Sequence, residues 1–254
     1  MCVVPIAKFL EMTDAFPHQT LRDENVAVKF DSAEDAVFVS HQWCGRQTSD
    51  PHFRQLQVLQ SLFLTAAEGR LRVDPDMVST LLFRVRVSLK PADFVDVMSW
   101  GMWYDYFSVP QPDASEVGAG GHSDLSTDLG RAVASLSAYV RACDHFIVLA
   151  PPVRHEDGHI VDYASWQRRG WCRFERLSRV LGCGDSRLLI VRHSDAVIEG
   201  GAHSYILEPV GMGEFSFEAD KASLVGIIER LFRAKLAALL AAGRMDSYRF
   251  MVSM

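Results

Sequence analysis

His145-Phe146-Ile147-Val148-Leu149-Ala150-Pro151-Pro152 and, after an intervening loop, Ser165-Trp166-Gln167-Arg168-Arg169-Gly170-Trp171-Cys172-Arg173-Phe174-Glu175-Arg176-Leu177 decide the fold. The first piece is a short unbroken apolar run closed by two prolines, as expected of a strand buried on both faces of a parallel sheet. The second reads as a helix. At about 100° per residue, Trp171, Phe174, Leu177 and Leu181 make one apolar stripe, with Glu175 at its edge one turn from Trp171. A half-buried acid fits that position. The bland alternative is a solvated charge among Arg173, Arg176 and Arg179, since charged helix residues are usually exposed.

The same alternation extends outward along the chain. Residues 36–40 form a buried strand, 100–107 an aromatic-rich second strand, and 187–191 a fourth. A helix begins at Asp50-Pro51 and runs to about residue 67, closed by Gly69. Leu125, Leu129, Val133, Leu136 and Val140 keep a helical period behind a cap at Ser123 or Asp124. Asp220 caps a long final helix that ends at Gly243. Between residues 71 and 98, Asp74-Pro75 suggests a helix start, while Phe83, Val85, Val87 and Leu89 alternate like a strand; a helix is preferred. Residues 26–30 suit an extra edge strand or an arm, and a short fifth strand is expected near Tyr205-Ile206-Leu207. Strands alternating with helices imply an α/β fold, a doubly wound and mostly parallel sheet of about five strands with right-handed crossovers. One domain is expected over 35–243, with an insertion at about 70–98, an N-terminal arm or extra strand over 1–34 and a tail over 244–254.

Composition narrows the function. With 254 residues, 48% hydrophobic and 23% charged, the chain can bury a sizeable core. A formal net charge of −6 provides no general attraction to phosphate backbones, so no nucleic-acid partner is expected. No apolar run approaches the roughly eighteen residues of a membrane span, and residues 1–10 make a poor signal peptide, so a cytoplasmic location is expected. The five cysteines have no CxxC spacing, which fits reduced thiols. His41, Cys44 and His52 lack a second clear ligand pair, so no metal is expected. Gly118, Gly120 and Gly121 are not in a phosphate-loop spacing and read as a flexible loop.

In doubly wound sheets ligands bind outside the carboxyl ends of the strands. Three unusual stretches fall there: 41–46, 105–112 and 151–175. Together they define one candidate cleft whose side chains are His41, Trp43, Arg46, Asp105, Tyr106, Phe107, Trp171 and Glu175.

These residues resemble the TIR domain superfamily, including the TIR-like heterokaryon-incompatibility domains, over about residues 36–191. Val37-Phe38-Val39-Ser40-His41 looks like the TIR opening strand "vFiSy", and with Gln42-Trp43 is similar to the "SHxWG" opening of the heterokaryon-incompatibility group. Trp103-Tyr104-Asp105-Tyr106-Phe107-Ser108-Val109-Pro110-Gln111 looks like that group's "WIDALCINQ". Phe146 to Pro151 followed by Trp171-Cys172-Arg173-Phe174-Glu175 resembles the TIR signature "vvlSpnY…WCxxEL". The resemblance implies a flavodoxin-like sheet, a gating loop over 109–123, and a catalytic glutamate, matching Glu175, of an NAD⁺ glycohydrolase acting in signalling or innate immunity. The chain departs from the pattern at His41-Gln42-Trp43, which replaces an acidic and basic pair, at Arg176, which replaces a leucine, and in about thirty extra residues before the second strand.

The chemistry needs little more than one carboxylate. The nicotinamide of NAD⁺ is a cationic leaving group that departs neutral, and a fixed carboxylate stabilises the oxocarbenium character that develops on the ribose. Trp43, Trp171, Tyr106 or Phe107 could stack on a ring, and Arg46, Arg154 or Arg168 could meet the pyrophosphate. The ordinary alternatives are core aromatics and solvated arginines. Asp105 orients a ribose hydroxyl or caps the loop that follows it. Cys172 makes a poor nucleophile, since no histidine is near it in sequence. NAD⁺ is thus expected as substrate, with no bound cofactor, and self-association as the partner mode. Two alternatives stand beside this: a non-catalytic TIR-like self-association module, and an N-glycosidic enzyme acting on other nucleosides or nucleotides.

Overall fold

In the computed structural model of the chain, the described residues are 1–77, 80–81, 89–94, 96–111, 127–182, 188–200 and 207–253. The chain opens with β1 (Cys2–Pro5), α1 (Ile6–Phe9), α2 (His18–Asp23) and β2 (Val28–Lys29), followed by β3 (Ala36–His41), α3 (Arg54–Ala67) and β4 (Val73–Pro75). Then come β5 (Gly101–Tyr104), α4 (Asp105–Ser108), α5 (Asp128–Ala134), α6 (Leu136–Ala142) and β6 (His145–Leu149). A small hairpin of β7 (Val153–Arg154) and β8 (Ile160–Val161) leads into α7 (Tyr163–Arg168) and α8 (Gly170–Gly182). The chain closes with β9 (Leu188–His193), β10 (Ala196–Gly200), α9 (Glu218–Ala241) and α10 (Met245–Val252).

Among the described residues the central sheet has eight strands, in the order β2-β1-β5-β3-β6-β9-β10-β4. The expected α/β class and mostly parallel sheet are found, with more strands than about five. The four middle strands, β5, β3, β6 and β9, are mutually parallel. The additions are flanking strands: β1 pairs antiparallel to β5, β2 to β1 and β10 to β9, while β4 runs parallel beside β10.

Taken by position along the chain, the parallel four lie second, first, third, fourth. The chain steps from β3 to one side through α3, then reverses and crosses to β6 through α5 and α6. With right-handed crossovers, a reversal of direction moves the helices to the opposite face. The packing follows. Val37, Val39, Met102, Tyr104, Ile147 and Leu149 bury one face against α1 and α3, and Phe38, Trp103, Phe146 and Val148 bury the other against α6, α8 and α9. Every residue of β3 is buried, as a strand covered on both faces requires. On its second face Phe38 stacks on Trp103, with ring centroids 4.4 Å apart, and on Phe146 at 5.2 Å, so one aromatic row crosses three strands in register.

Several expectations are corrected. The helix expected from Asp50 begins at Arg54; Asp50 instead sits in the turn before it and accepts the amides of Arg54 at 3.0 Å and Leu56 at 2.9 Å. The strand over 100–107 stops at Tyr104, because the Asp105 carboxylate takes the Tyr106 amide at 2.5 Å and turns the chain into α4. Asp74 and Pro75 lie on β4, and the helix expected from them follows directly, with Met77, Thr80 and Leu81 helical and the Thr80 amide donating to the Asp76 carbonyl at 3.0 Å; residues 82–88, with most of the alternating run, lie outside the described residues. Ser123, Asp124 and the glycines at 118, 120 and 121 also lie outside them; Thr127 caps α5 through the Gly130 amide at 2.9 Å. The expected fifth strand near 205–207 falls outside them except for Leu207, which is exposed, and β10 supplies an earlier strand in that region. Asp220 lies inside α9, two residues after its start, and residues 245–252 form α10 rather than a tail.

Candidate functional site

β3 ends in two consecutive polar residues, and its period of two sends them to opposite faces of the sheet. Ser40 points toward the face covered by α8, and His41 toward the face that holds Tyr104. Each meets a carboxylate there.

On the first face, the Trp166 indole on α7 donates to Ser40 Oγ at 3.1 Å, and Ser40 Oγ donates to Glu175 Oε2 at 2.5 Å. Glu175 is half-buried. Burial pushes its carboxyl up to about 8; the Ser40 bond works against the shift and the charge of Asp105 adds to it. Near neutral pH the group therefore carries a proton.

On the second face, Asp105 at the start of α4 accepts from His41 Nε2 at 2.7 Å and from the Trp43 indole at 2.8 Å. A carboxylate only accepts, so Nε2 carries a hydrogen. The His41 ring is stacked on Tyr104, with centroids 3.9 Å apart, and its side chain is 2% exposed. Burial taken alone raises the Asp105 carboxyl. The charge and hydrogen bond of His41, with the bonds from Trp43 and the Tyr106 amide, outweigh it and hold the group below the usual aspartate range. Its side chain keeps 36% of its surface exposed, so solvent tempers both effects. Two neighbouring carboxyls thus sit on opposite sides of neutrality, one protonated and one ionised, which is the arrangement that separates acid from base roles.

Among the residues expected from sequence, Glu175, His41, Trp43 and Asp105 are brought to this one edge. Tyr106 packs edge-on against Trp43 at 5.5 Å and is almost wholly buried. Phe107 has no exposed surface and packs on Phe9 and Tyr104, a core position. Trp171 turns away: its indole donates to Asp220 at 3.2 Å, and its ring meets Phe174 and Phe215. Arg46 extends along the β7–β8 turn, with Nη2 2.9 Å from Asp157. Of the loop over 109–123, residues 112–123 lie outside the described residues.

Arg176 and Arg179, solvated neighbours of Glu175 only in the bland alternative, are buried. Arg176 pairs with Glu208 at 2.6 Å and lies over the Trp166 ring, 5.8 Å from its centroid. Arg179 donates to the carbonyls of Cys143 and Asp144. Cys172 donates to the His41 carbonyl at 3.5 Å, and burial first, then the Glu175 charge, raise its thiol well above the ordinary value, so no thiolate is present near neutral pH.

Sequence reasoning missed Ser40 and Trp166 as parts of the site. A signal existed for Ser40: it is the polar residue on a strand face otherwise made of Ala36 and Phe38. Trp166 had none, since α7 and α8 are separate helices and a continuous helix places it elsewhere.

Comparison of the chain with protein-family models, with curated proteins and with solved structures finds no match. Among the described residues, no helix is long and apolar enough to cross a membrane.

Proposed function

We propose that the chain is a TIR-like NAD⁺ nucleosidase with a flavodoxin-like parallel core, and that Glu175 is its catalytic residue. The observation that carries this is a desolvated carboxyl, held by Ser40 at the carboxyl end of the central strand, where the strand order reverses between β3 and β6. That is the position at which open α/β sheets bind ligands. In this reading the ribosyl nicotinamide lies over Glu175. Its positive charge draws the carboxyl into the ionised form, and the carboxylate then stabilises the cation that grows on the ribose as neutral nicotinamide leaves, until water, or the adenine ring of the same molecule, bonds to that carbon and gives ADP-ribose or its cyclic form. Asp105, kept ionised by His41 and Trp43, adds negative potential and an acceptor for a ribose hydroxyl. Trp43, partly exposed, offers a ring face.

The protonated state of Glu175 favours a second reading, hydrolysis of an uncharged N-glycoside. A neutral nucleobase leaves poorly unless protonated, and the Glu175 carboxyl then serves as the general acid, with Asp105 as the ionised partner.

One experiment addresses both. Purified chain is incubated with NAD⁺ and, separately, with nucleosides, beside Glu175→Gln, across pH 6 to 9.5. The NAD⁺ reading expects nicotinamide release that the variant lowers by about 100-fold or more, with kcat/KM rising through about pH 8 as free Glu175 ionises. The nucleoside reading expects base release that falls through the same pH. No release from either substrate, or equal release by the variant, overturns both and leaves the non-catalytic self-association module.

A further inference from the structure

The β7–β8 turn carries a second cluster, His155, Asp157 and His159, that the site above does not use. The turn is closely built: the His155 amide donates to the His159 carbonyl at 2.8 Å, the Gly158 amide returns to the His155 carbonyl at 2.8 Å, and Gly158 adopts φ 91, which favours glycine. His155 and His159 face each other across this closure, their rings stacked with centroids 4.4 Å apart. One donor atom from each of the three residues lies within 4.8 Å of the other two.

The protonation pattern suits a cation. His155 Nδ1 accepts the Asp157 amide at 3.1 Å, so that nitrogen presents a lone pair rather than a hydrogen. It stands 3.4 Å from Asp157 Oδ2. Two ligands each about 2.0–2.1 Å from a tetrahedral zinc lie about 3.4 Å apart. Arg46 engages only the other oxygen of Asp157, Oδ1, so Oδ2 stays available to an ion. Two imidazoles and one carboxylate are a set that suits a divalent ion of the zinc class and leaves further positions for water.

We propose that His155, Asp157 and His159 form a binding site for a divalent transition-metal ion. Binding exchanges the 3.1 Å amide contact at Nδ1 for a metal bond. The turn is latched to the segment after β3, since the Glu156 amide donates to the Cys44 carbonyl at 2.8 Å and the Arg46 amide donates to Glu156 Oε1 at 2.8 Å. An ion here therefore braces the segment that carries Trp43. Arg46, a cation beside Asp157, competes with it.

The test is calorimetric titration of the full chain with zinc chloride, with visible absorption of the cobalt(II) form as a second readout. The expected result is one equivalent bound with Kd at or below about 10 µM. His159→Ala and Asp157→Asn should each weaken it by more than about tenfold, His193→Ala should leave it unchanged, and Arg46→Ala should bind equally or more tightly. All four changes are at exposed positions, so the fold is retained. Absence of binding up to about 1 mM, undiminished binding in both ligand variants, or a thiolate-to-cobalt charge-transfer band would overturn the proposal.

Discussion

Glu175 carries a cost that depends on pH. Its folded carboxyl titrates near 8 against an ordinary value of 4.5, so between these limits the folded chain holds a proton that the unfolded chain has released. Stability from this group is complete below about pH 4.5, declines as pH rises through the window, and is lost above about 8. With its partial exposure discounted, the loss is on the order of 2–4 kcal/mol. Glu175→Gln removes the titration. Urea unfolding should therefore find the variant similar to the parent at pH 4.5 and more stable at pH 9; equal stability of the two at both ends would refute a desolvated Glu175. Part of this was legible beforehand. Helical spacing put Glu175 at the margin of an apolar stripe, but spacing says nothing of what lies opposite, and Ser40 and Asp105 arrive from 135 and 70 residues away, 175 − 40 and 175 − 105.

At the scale of elements, the break between α7 and α8 aims the site. Arg169 leaves helical geometry at ψ 126, and the strand-like segment at Glu214 pairs across the break, donating to the Arg168 carbonyl at 2.7 Å and accepting from the Gly170 amide at 2.9 Å. Gly170 is required by close approach: a Cβ there would overlap the Phe215 ring. Gly170→Ala should cost about 1–3 kcal/mol by overpacking, and Phe215→Ala in the same chain should return part of it, as a double-mutant cycle in thermal unfolding would measure. The two helices read as one in sequence because no proline separates them and Gly170 alone is a weak signal. The strands of the parallel core were legible for the opposite reason: 36–40 and 145–150 are continuous apolar runs, a pattern that burial on both faces imposes. The end of β5 was not, since Tyr106 and Phe107 have strand-forming side chains and only the carboxylate before them turns the chain.

For the molecule as a whole, β1 closes an edge. Val4 pairs with Met102 and Pro5 with Gly101, and the Ile6 amide continues the ladder to the Trp100 carbonyl at 3.0 Å. Val4, Ile6 and Phe9 are buried completely. Of the two forms expected for residues 1–34, extra strand and arm, the structure has the first: they add β1 and β2 to the sheet. Removing residues 1–30 uncovers both the hydrogen-bonding groups of β5 and the apolar face beneath α1, and an open apolar edge is a template for association. The truncated chain should aggregate at concentrations where the parent scatters no light; a dispersed and cooperatively folding truncation would contradict this. The short β1 escaped prediction because four residues, one of them a proline, hold too little pattern for a strand assignment.

The bond between the Trp43 indole and Asp105 has one more consequence. Indole emission responds to a nearby charge and to wetting; Trp43 is partly exposed, Trp100, Trp103 and Trp166 are buried, and Trp171, also partly exposed, is turned away onto Asp220. A ligand that settles over Asp105 changes both conditions for Trp43 at once. The chain thus carries its own fluorophore at the candidate site, and occupancy becomes a colour change that is followed without any label.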